Sequence, residues 1–351
     1  MTNSRLRRAL TGLLWGLWCC LPSSIRVACY RRLWRFGDAS YCHRIRMLPF
    51  GLVLKRMSGS PYIEAENIRF IAANTSIPVP RILDAVDFVE TNIGHSSPEG
   101  LILMTRIEGQ RLDEWISNHA IRPPGEQELL DQLDYYLSID DTKGIAATLE
   151  KLQPMPMPIL NMSDADAALV QDLRDVFTEL RSLPPPSPAV TGLSGRPLKC
   201  NRAGEAKLIG PFKDQQEFKD FLFAQASTTR MNMLRRLAKP VNAKQHRICF
   251  THADIAARNI LVKDGRLAGI LDWEFAGWYP EYWEYTSMDA QLGLEHLSRQ
   301  FWDVVQPFGP GEPYREELAL ERALCRCTGS FVVPYRDDEP EDPEDLLEDD
   351  H

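Results

Sequence analysis

No two cysteines of the chain stand in a C-x-x-C pair, no internal repeat is visible, and no stretch offers the roughly 20 apolar residues that a bilayer span requires. Without such pairs a zinc ribbon is excluded: Cys325 and Cys327 form C-x-C with no second pair nearby. Cys19, Cys20, Cys29, Cys42, Cys200 and Cys249 follow no regular spacing, so a disulfide framework is not indicated either. The cysteines read as small, reduced, apolar residues. Charge of one sign is scarce outside the C-terminus. Residues 337–351 carry ten acids and no Lys or Arg, and the rest of the chain sets 39 acids against 40 bases. A body so balanced has no broad electrostatic footprint for nucleic acid. The acidic end has too little apolar surface to repay ordering and reads as a disordered tail.

What is present is a chain of 351 residues, long enough for about two domains and a core without disulfide or metal staples. Arg5, Arg7 and Arg8 precede an uncharged stretch from Ala9 to Ile25, as in a signal peptide, but Gly12, Gly16 and Pro22 interrupt it and no convincing cleavage site follows. The expectation is an amphipathic helix with Trp15, Trp18 and Leu21 packed on the main body. A membrane-surface helix is the alternative, since Trp beside Arg suits an interface. A cytoplasmic location is expected.

His43 to Lys55 reads as two short strands around a turn at Pro49-Phe50-Gly51. Tyr62 to Asn74 reads as a helix, with Ile63, Ile68, Ile71 and Ala72 at helical spacing and Pro78 and Pro80 beyond its end. Ile82 to Val89 and Leu101 to Ile107 read as strands joined by a polar loop through Asn92, Gly94 and Ser97. Helices dominate afterwards: Arg111 to His119, Glu126 to Glu150, Phe212 to Leu237, and Tyr282 to Cys327. Pro154, Pro156 and Pro158, then Pro184 to Pro188, make the stretch between them a loop-rich excursion. Ile248–Phe250, Ile260–Val262 and Leu267–Leu271 are short β segments, the last two joined by a hairpin turn at Asp264-Gly265. A β-rich part followed by a helical part predicts two lobes with a cleft between them.

The chemistry is concentrated in Cys249 to Tyr285. His252-Ala253-Asp254 is followed five residues later by Asn259, and a strand and hairpin turn lead on to Leu271-Asp272-Trp273-Glu274. Asp254 and Asn259 share a loop, and Asp272 ends the strand paired with the one that Asn259 opens. Such a set gathers carboxylate and amide oxygens suited to a hard cation such as Mg²⁺. It also suits phosphoryl transfer, in which a loop Asp takes the proton of an attacking hydroxyl while an Asn and a later Asp hold the metal on the nucleotide phosphates.

On these residues the sequence resembles the aminoglycoside phosphotransferase and choline kinase-like family, relatives of the protein kinases. The likeness is strongest in His252 to Asn259 and Leu271 to Glu274, and Ala276 to Glu284 looks like a fungal-type subgroup. A weaker likeness runs from about Arg46 to Gly109 through Leu54-Lys55, Glu64-Ala65-Glu66 and Pro78-Val79-Pro80. The resemblance implies an α+β, two-lobed protein kinase-like fold. Residues 1–40 would be a helical extension, 41–106 the β-rich N-lobe, 107–336 the helical C-lobe and 337–351 the tail. It implies an ATP- and Mg²⁺-dependent phosphotransferase acting on a hydroxyl of a small molecule. Asp254 would be the base, Asn259 and Asp272 the Mg²⁺ ligands, and His252 a brace for the loop. Lys55 would meet the α- and β-phosphates, held by a helix glutamate. Glu64 is preferred to Glu66, because Ile68 and Ile71 lie four and seven residues on along the same side. Met104, Thr105 and Arg106 would line the adenine, with backbone groups at Thr105 or Arg106 pairing with the base. Glu274 would bind a second cation or hold the loop. The acceptor would lie between Asp254 and the Trp278–Trp283 segment, whose aromatics read as packing rather than a cation cage.

The sequence departs from the kinase pattern at the phosphate-covering turn. Met47-Leu48-Pro49-Phe50-Gly51, taken as that turn, has one glycine and a stiff proline in place of G-x-G-x-x-G. The alternative reading is therefore a pseudokinase-type binding module with weak or no activity. No A-P-E segment follows Asp272, which argues against a protein kinase.

Overall fold

The computed structural model describes residues 15–328, except 40–41, 93–94, 201, 203–206, 227–229, 293–295 and 312. The acidic segment 337–351 and the arginines at 5, 7 and 8 lie outside the described residues. In chain order the elements begin with α1 (Ser23–Phe36), β1 (Asp38–Ala39), β2 (Ile45–Leu48), β3 (Leu52–Ser58), α2 (Tyr62–Asn74), β4 (Ile82–Asn92) and β5 (His95–Thr105). The five strands form one antiparallel sheet in the order β1-β2-β3-β5-β4.

Side-chain alternation explains why Leu101 to Met104 is apolar without a break. Successive residues of a strand point to opposite faces, and both faces of this sheet are covered. Leu54, Val86, Leu101 and Leu103 pack with Val27 and Tyr30 of α1. Val53, Met57, Ala85, Ile102 and Met104 pack with Ala65 of α2 on the other face. Lys55 lies between Val53 and Met57 in β3, so it shares the face that α2 covers. The opposite side of α2 sends Ile68 and Ile71 into the large C-lobe core, with Trp273, Phe250 and Phe177. One helix thus ties sheet to C-lobe.

The C-lobe continues with β6 (Gln110–Arg111), α3 (Leu112–Asn118), β7 (Ala120–Ile121), α4 (Glu126–Ser138), α5 (Thr142–Leu152), β8 (Ile159–Leu160), α6 (Ala167–Ser182), β9 (Leu198–Cys200), β10 (Lys207–Ile209), α7 (Gln215–Ala224) and α8 (Met231–Ala243). It ends with β11 (Ile248–Thr251), β12 (Ile260–Lys263), β13 (Arg266–Ile270), β14 (Gly277–Pro280), α9 (Trp283–Leu292), α10 (His296–Val305) and α11 (Arg315–Thr328). Strand β11 pairs with β14, and β12 with β13 and β6. Asp264 and Gly265 both adopt positive φ, 51° and 71°, the pair that a two-residue type I′ hairpin turn needs.

Three expectations need correction. The polar loop between the fourth and fifth strands is mostly strand: Glu90 pairs with Ser97 and Asn92 with His95. Where its side chains are described, at Val89, Ser96, Ser97 and Pro98, this end of the hairpin is exposed, so its sequence needs no apolar alternation. The proline-flanked excursion contains α6, whose Leu169, Leu173, Val176, Phe177 and Leu180 are all buried at helical spacing. The helical region from Phe212 is two helices, α7 and α8. Among the described residues no helix is long and apolar enough to cross a membrane.

Candidate active site

Lys55 and the α2 helix build the upper half of the site. From the shared face of β3, Lys55 Nζ reaches both carboxylate oxygens of Glu64 at 2.8 Å and Oδ1 of Asp272 at 2.7 Å. Glu64 is fully buried. The other candidate, Glu66, faces away and pairs with Arg196. Burial disfavours a charged Lys55, but Glu64, Asp272 and Glu274 outweigh it and hold the lysine firmly protonated. Asn67, one turn along α2, donates from Nδ2 to the carbonyls of Trp273 at 2.8 Å and Ala276 at 3.1 Å. The helix carrying Glu64 is thereby tied to the turn carrying Asp272.

The lower half is the loop after β11. Glu284, buried at the start of α9, accepts the backbone N–H groups of His252 at 2.6 Å and Ala253 at 3.0 Å. Ala253 has φ 65°, a left-handed conformation costly for a residue with a Cβ, and these bonds hold it there. His252 accepts the Asp254 amide on Nδ1 at 3.2 Å and donates from Nε2 to the Leu271 carbonyl at 3.0 Å. Burial keeps that ring neutral, with its pKa lowered to about 4, so it braces two loops and does not move protons near neutral pH. Asn259 donates from Nδ2 to the Asp254 carbonyl at 2.9 Å and carboxylate at 3.2 Å. Its Oδ1 is the atom available as a ligand. Leu271 N–H bonds to the Asn259 carbonyl at 2.8 Å, which sets Asp272 beside this loop.

The two aspartates differ electrically. Burial pushes the Asp254 carboxyl up to about 7; Arg258, 3.5 Å away, pulls it down, while Asp272 and Glu274 push it further up. For Asp272 burial also acts upward, but the contact with Lys55 prevails and keeps its carboxyl below the usual range. Asp272, with φ 66° and its side chain 32% exposed, is accessible from the cleft. Carboxylate oxygens of Glu64, Asp272 and Glu274 lie within 4.8 Å of one another. Glu274 also pairs with Lys199, which stacks on Phe275 at 5.6 Å. Two lysines among three carboxylates leave an all-oxygen donor set with negative charge in excess, and such a set fits Mg²⁺.

Two sequence-based placements change. In the β2–β3 register Ile45 faces Lys55, whereas Leu48 and Leu52 face each other at the opposite end. The turn at residues 49–51 therefore lies against the hinge, where Gly51 O accepts the Arg106 N–H at 2.7 Å. Strands β1 and β2 pair with Asp38 opposite Met47, and the described residues of the connection that leads to Ile45, on the Lys55 side, are Cys42, His43 and Arg44, none of them glycine. Second, the Thr105 N–H bonds to Arg81 O at 3.0 Å, so with Arg106 also engaged neither amide can donate to a base in this conformation. Met104 is buried in the sheet core beneath α2. Trp278, Tyr279, Tyr282 and Trp283 are buried along β14 and the entry to α9, in agreement with their reading as packing.

Glu284, Asn67 and Lys199 were not anticipated. Asn67 follows Glu64 by three residues on the same helix face, a legible spacing. Glu284 shares an aromatic run with Glu281, and nothing in the pattern singles it out. Lys199 lies in a stretch with no motif. A cavity of about 870 Å³ lies elsewhere, between Phe70 of α2, Leu183, Phe212 and Trp278, and none of Lys55, Glu64, Asp254, Asn259 or Asp272 lines it.

Residues 52–288 match the sequence model of the phosphotransferase enzyme family. The chain belongs to this phosphotransferase family. Its two-lobed α+β architecture is the family's kinase-like fold. Over 99 residues the family member is 29% identical to an aminoglycoside 3'-phosphotransferase of Enterococcus faecalis, a stretch covering 27% of this chain and 31% of that protein. The match thus spans about a third of the curated relative. Solved structures similar to it include a thermostable mutant of aminoglycoside phosphotransferase APH(4)-Ia in apo form, with 14% identity, TM-score 0.47, and 80% of this chain and 79% of that one covered. Another is APH(3'')-Id from Streptomyces rimosus in complex with ADP and streptomycin, with 14% identity, TM-score 0.45, and 86% and 98% covered.

Proposed function

We propose that the protein transfers the γ-phosphate of ATP to a hydroxyl group of a small molecule. One observation carries this reading: Lys55 of the sheet, Glu64 of α2 and Asp272 of the C-lobe meet through contacts of 2.7–2.8 Å, beside the loop that presents Asp254 and Asn259. Asp254 orients the acceptor hydroxyl and takes its proton, a role for which a carboxyl raised towards neutrality by burial is suited. Lys55 meets the α- and β-phosphates. Arg258, half-exposed beside Asp254, adds positive charge where the phosphoryl group passes. Asn259 and Asp272 would hold Mg²⁺, which when bound neutralises phosphate charge. Glu274, paired with Lys199, limits the negative charge of that donor set. The base lies along Met104, Thr105 and Arg106, and with both amides engaged it meets carbonyl oxygens there. An acceptor among polyhydroxylated small molecules is the reading in keeping with the likeness to an aminoglycoside 3'-phosphotransferase.

The absence of glycine from the sequence between β1 and β2 favours a second reading, a module that binds nucleotide without turnover. One assay separates the two. ATP labelled at the γ-phosphate is incubated with Mg²⁺ and a library of small hydroxyl compounds, with wild type and Asp254→Ala side by side. Acceptor-dependent label transfer by wild type alone supports transfer. Equal ATP consumption by both on every acceptor overturns it.

A further inference from the structure

The N-terminal helical segment has two unlike sides. Its inner side is anchored to the sheet: Trp15 Nε1 donates to the Leu83 carbonyl at 2.8 Å, and Trp18 Nε1 to the Tyr30 hydroxyl at 2.8 Å. Tyr30 in turn donates to buried Asp84 at 2.6 Å, which also pairs with Arg26. Its outer side exposes Leu17, Leu21, Ile25, Leu33 and Phe36, with Leu17 at 60% and Phe36 at 72%. Ile25, Arg32 and Phe36 recur at spacings of seven and four along α1, which places them on one stripe, with Leu33 and exposed Arg35 at its borders. Residues 1–37 contain seven arginines and no acid, in a chain that is otherwise net acidic. Arg26 and Arg31 are paired with Asp84 and Glu90, and Arg32 and Arg35 are exposed beside the apolar stripe.

We infer that this outer face is a docking surface for an anionic lipid bilayer. Large apolar side chains interleaved with arginines, in a helix lying flat on its protein, match the interfacial mode: apolar groups enter the headgroup boundary while arginine stems extend to lipid phosphates. Nucleic acid offers no use for Leu17, Ile25 and Phe36. Attachment leaves the site open, because α1 covers the sheet face carrying Leu54 and Lys55 points to the other. The inference is independent of the acceptor's identity.

The test is co-sedimentation of the full chain with vesicles of phosphatidylcholine alone, or with about one-third phosphatidylserine. Binding to the anionic vesicles, falling with added salt, is expected. Arg32→Gln with Arg35→Gln should lower partitioning by roughly tenfold or more, and Ile25→Ser with Phe36→Ser by at least about tenfold. All four side chains are exposed, so both double variants should keep the wild-type melting temperature and near-ultraviolet circular dichroism. Failure to sediment with anionic vesicles, equal binding to neutral ones, or unchanged partitioning of the Ile25/Phe36 variant would each overturn the inference. So would a solution dimer that this variant dissociates, since a second copy would then cover the face.

Discussion

Asp254 in the loop after β11 and Asp272 in the turn after β13 stand on adjoining loops, and burial acts upward on both carboxyls, yet they end in opposite states. The difference lies in where the cations are. Asp272 is in direct contact with Lys55 at 2.7 Å, in a cluster closed on the far side by buried Glu64. The cation beside Asp254 is Arg258, at 3.5 Å and half in solvent, where charge is screened. Two residues of one type on adjoining loops are thus held at different protonation by the cations beside them, and on the proposed reading this suits Asp272 to a metal and Asp254 to proton exchange.

The largest effect is expected on removing the carboxylate proposed as proton acceptor. Asp254→Asn should lower kcat by about 10²–10⁴-fold while leaving Mg-ATP affinity near wild type; steady-state kinetics on the identified acceptor would show it. The converse variant, Asp272→Asn, should weaken Mg²⁺-dependent nucleotide binding by about 10–100-fold, read by calorimetry, with little change in metal-free binding. A third change sharpens the role of the support beneath Asp254. Glu284→Ala strips the acceptor from two buried amides, each costing about 1–3 kcal/mol, so chemical denaturation should show a clear loss of stability. The smallest effect concerns His252, whose folded pKa of about 4 lies below its ordinary 6.5. A depressed folded value means the unfolded chain binds the proton first. The stability it contributes is therefore complete above pH 6.5 and is lost as pH falls towards 4, by at most about 1.4 kcal/mol per pH unit. Melting curves across that window should fall more steeply for wild type than for His252→Gln.

Much of the site was legible because its members are close in sequence or share a simple period. His252, Asp254 and Asn259 lie within one loop, and Asp272 follows a hairpin whose Asp264-Gly265 turn is unmistakable. Lys55 and Glu64 meet because a period of two in β3 and the packing of α2 put them on one face. The phosphate-side turn was misplaced because β1 is only two residues long and exposed, which gives no periodicity to read. The β2–β3 turn was therefore taken for the first hairpin. Helix α6 was hidden by the prolines on both flanks, although its apolar spacing is regular. Lys199 and Glu284 reach the site from segments whose position only tertiary packing determines, so no local pattern signals them.

The most direct measurement is a calorimetric titration of ATP, with and without Mg²⁺, into wild type, Asp254→Asn and Asp272→Asn. The division of labour predicts Mg²⁺-dependent binding in wild type, retention of it in the Asp254 variant, and its loss in the Asp272 variant. Equal affinity of all three proteins for ATP, with or without the metal, would contradict it.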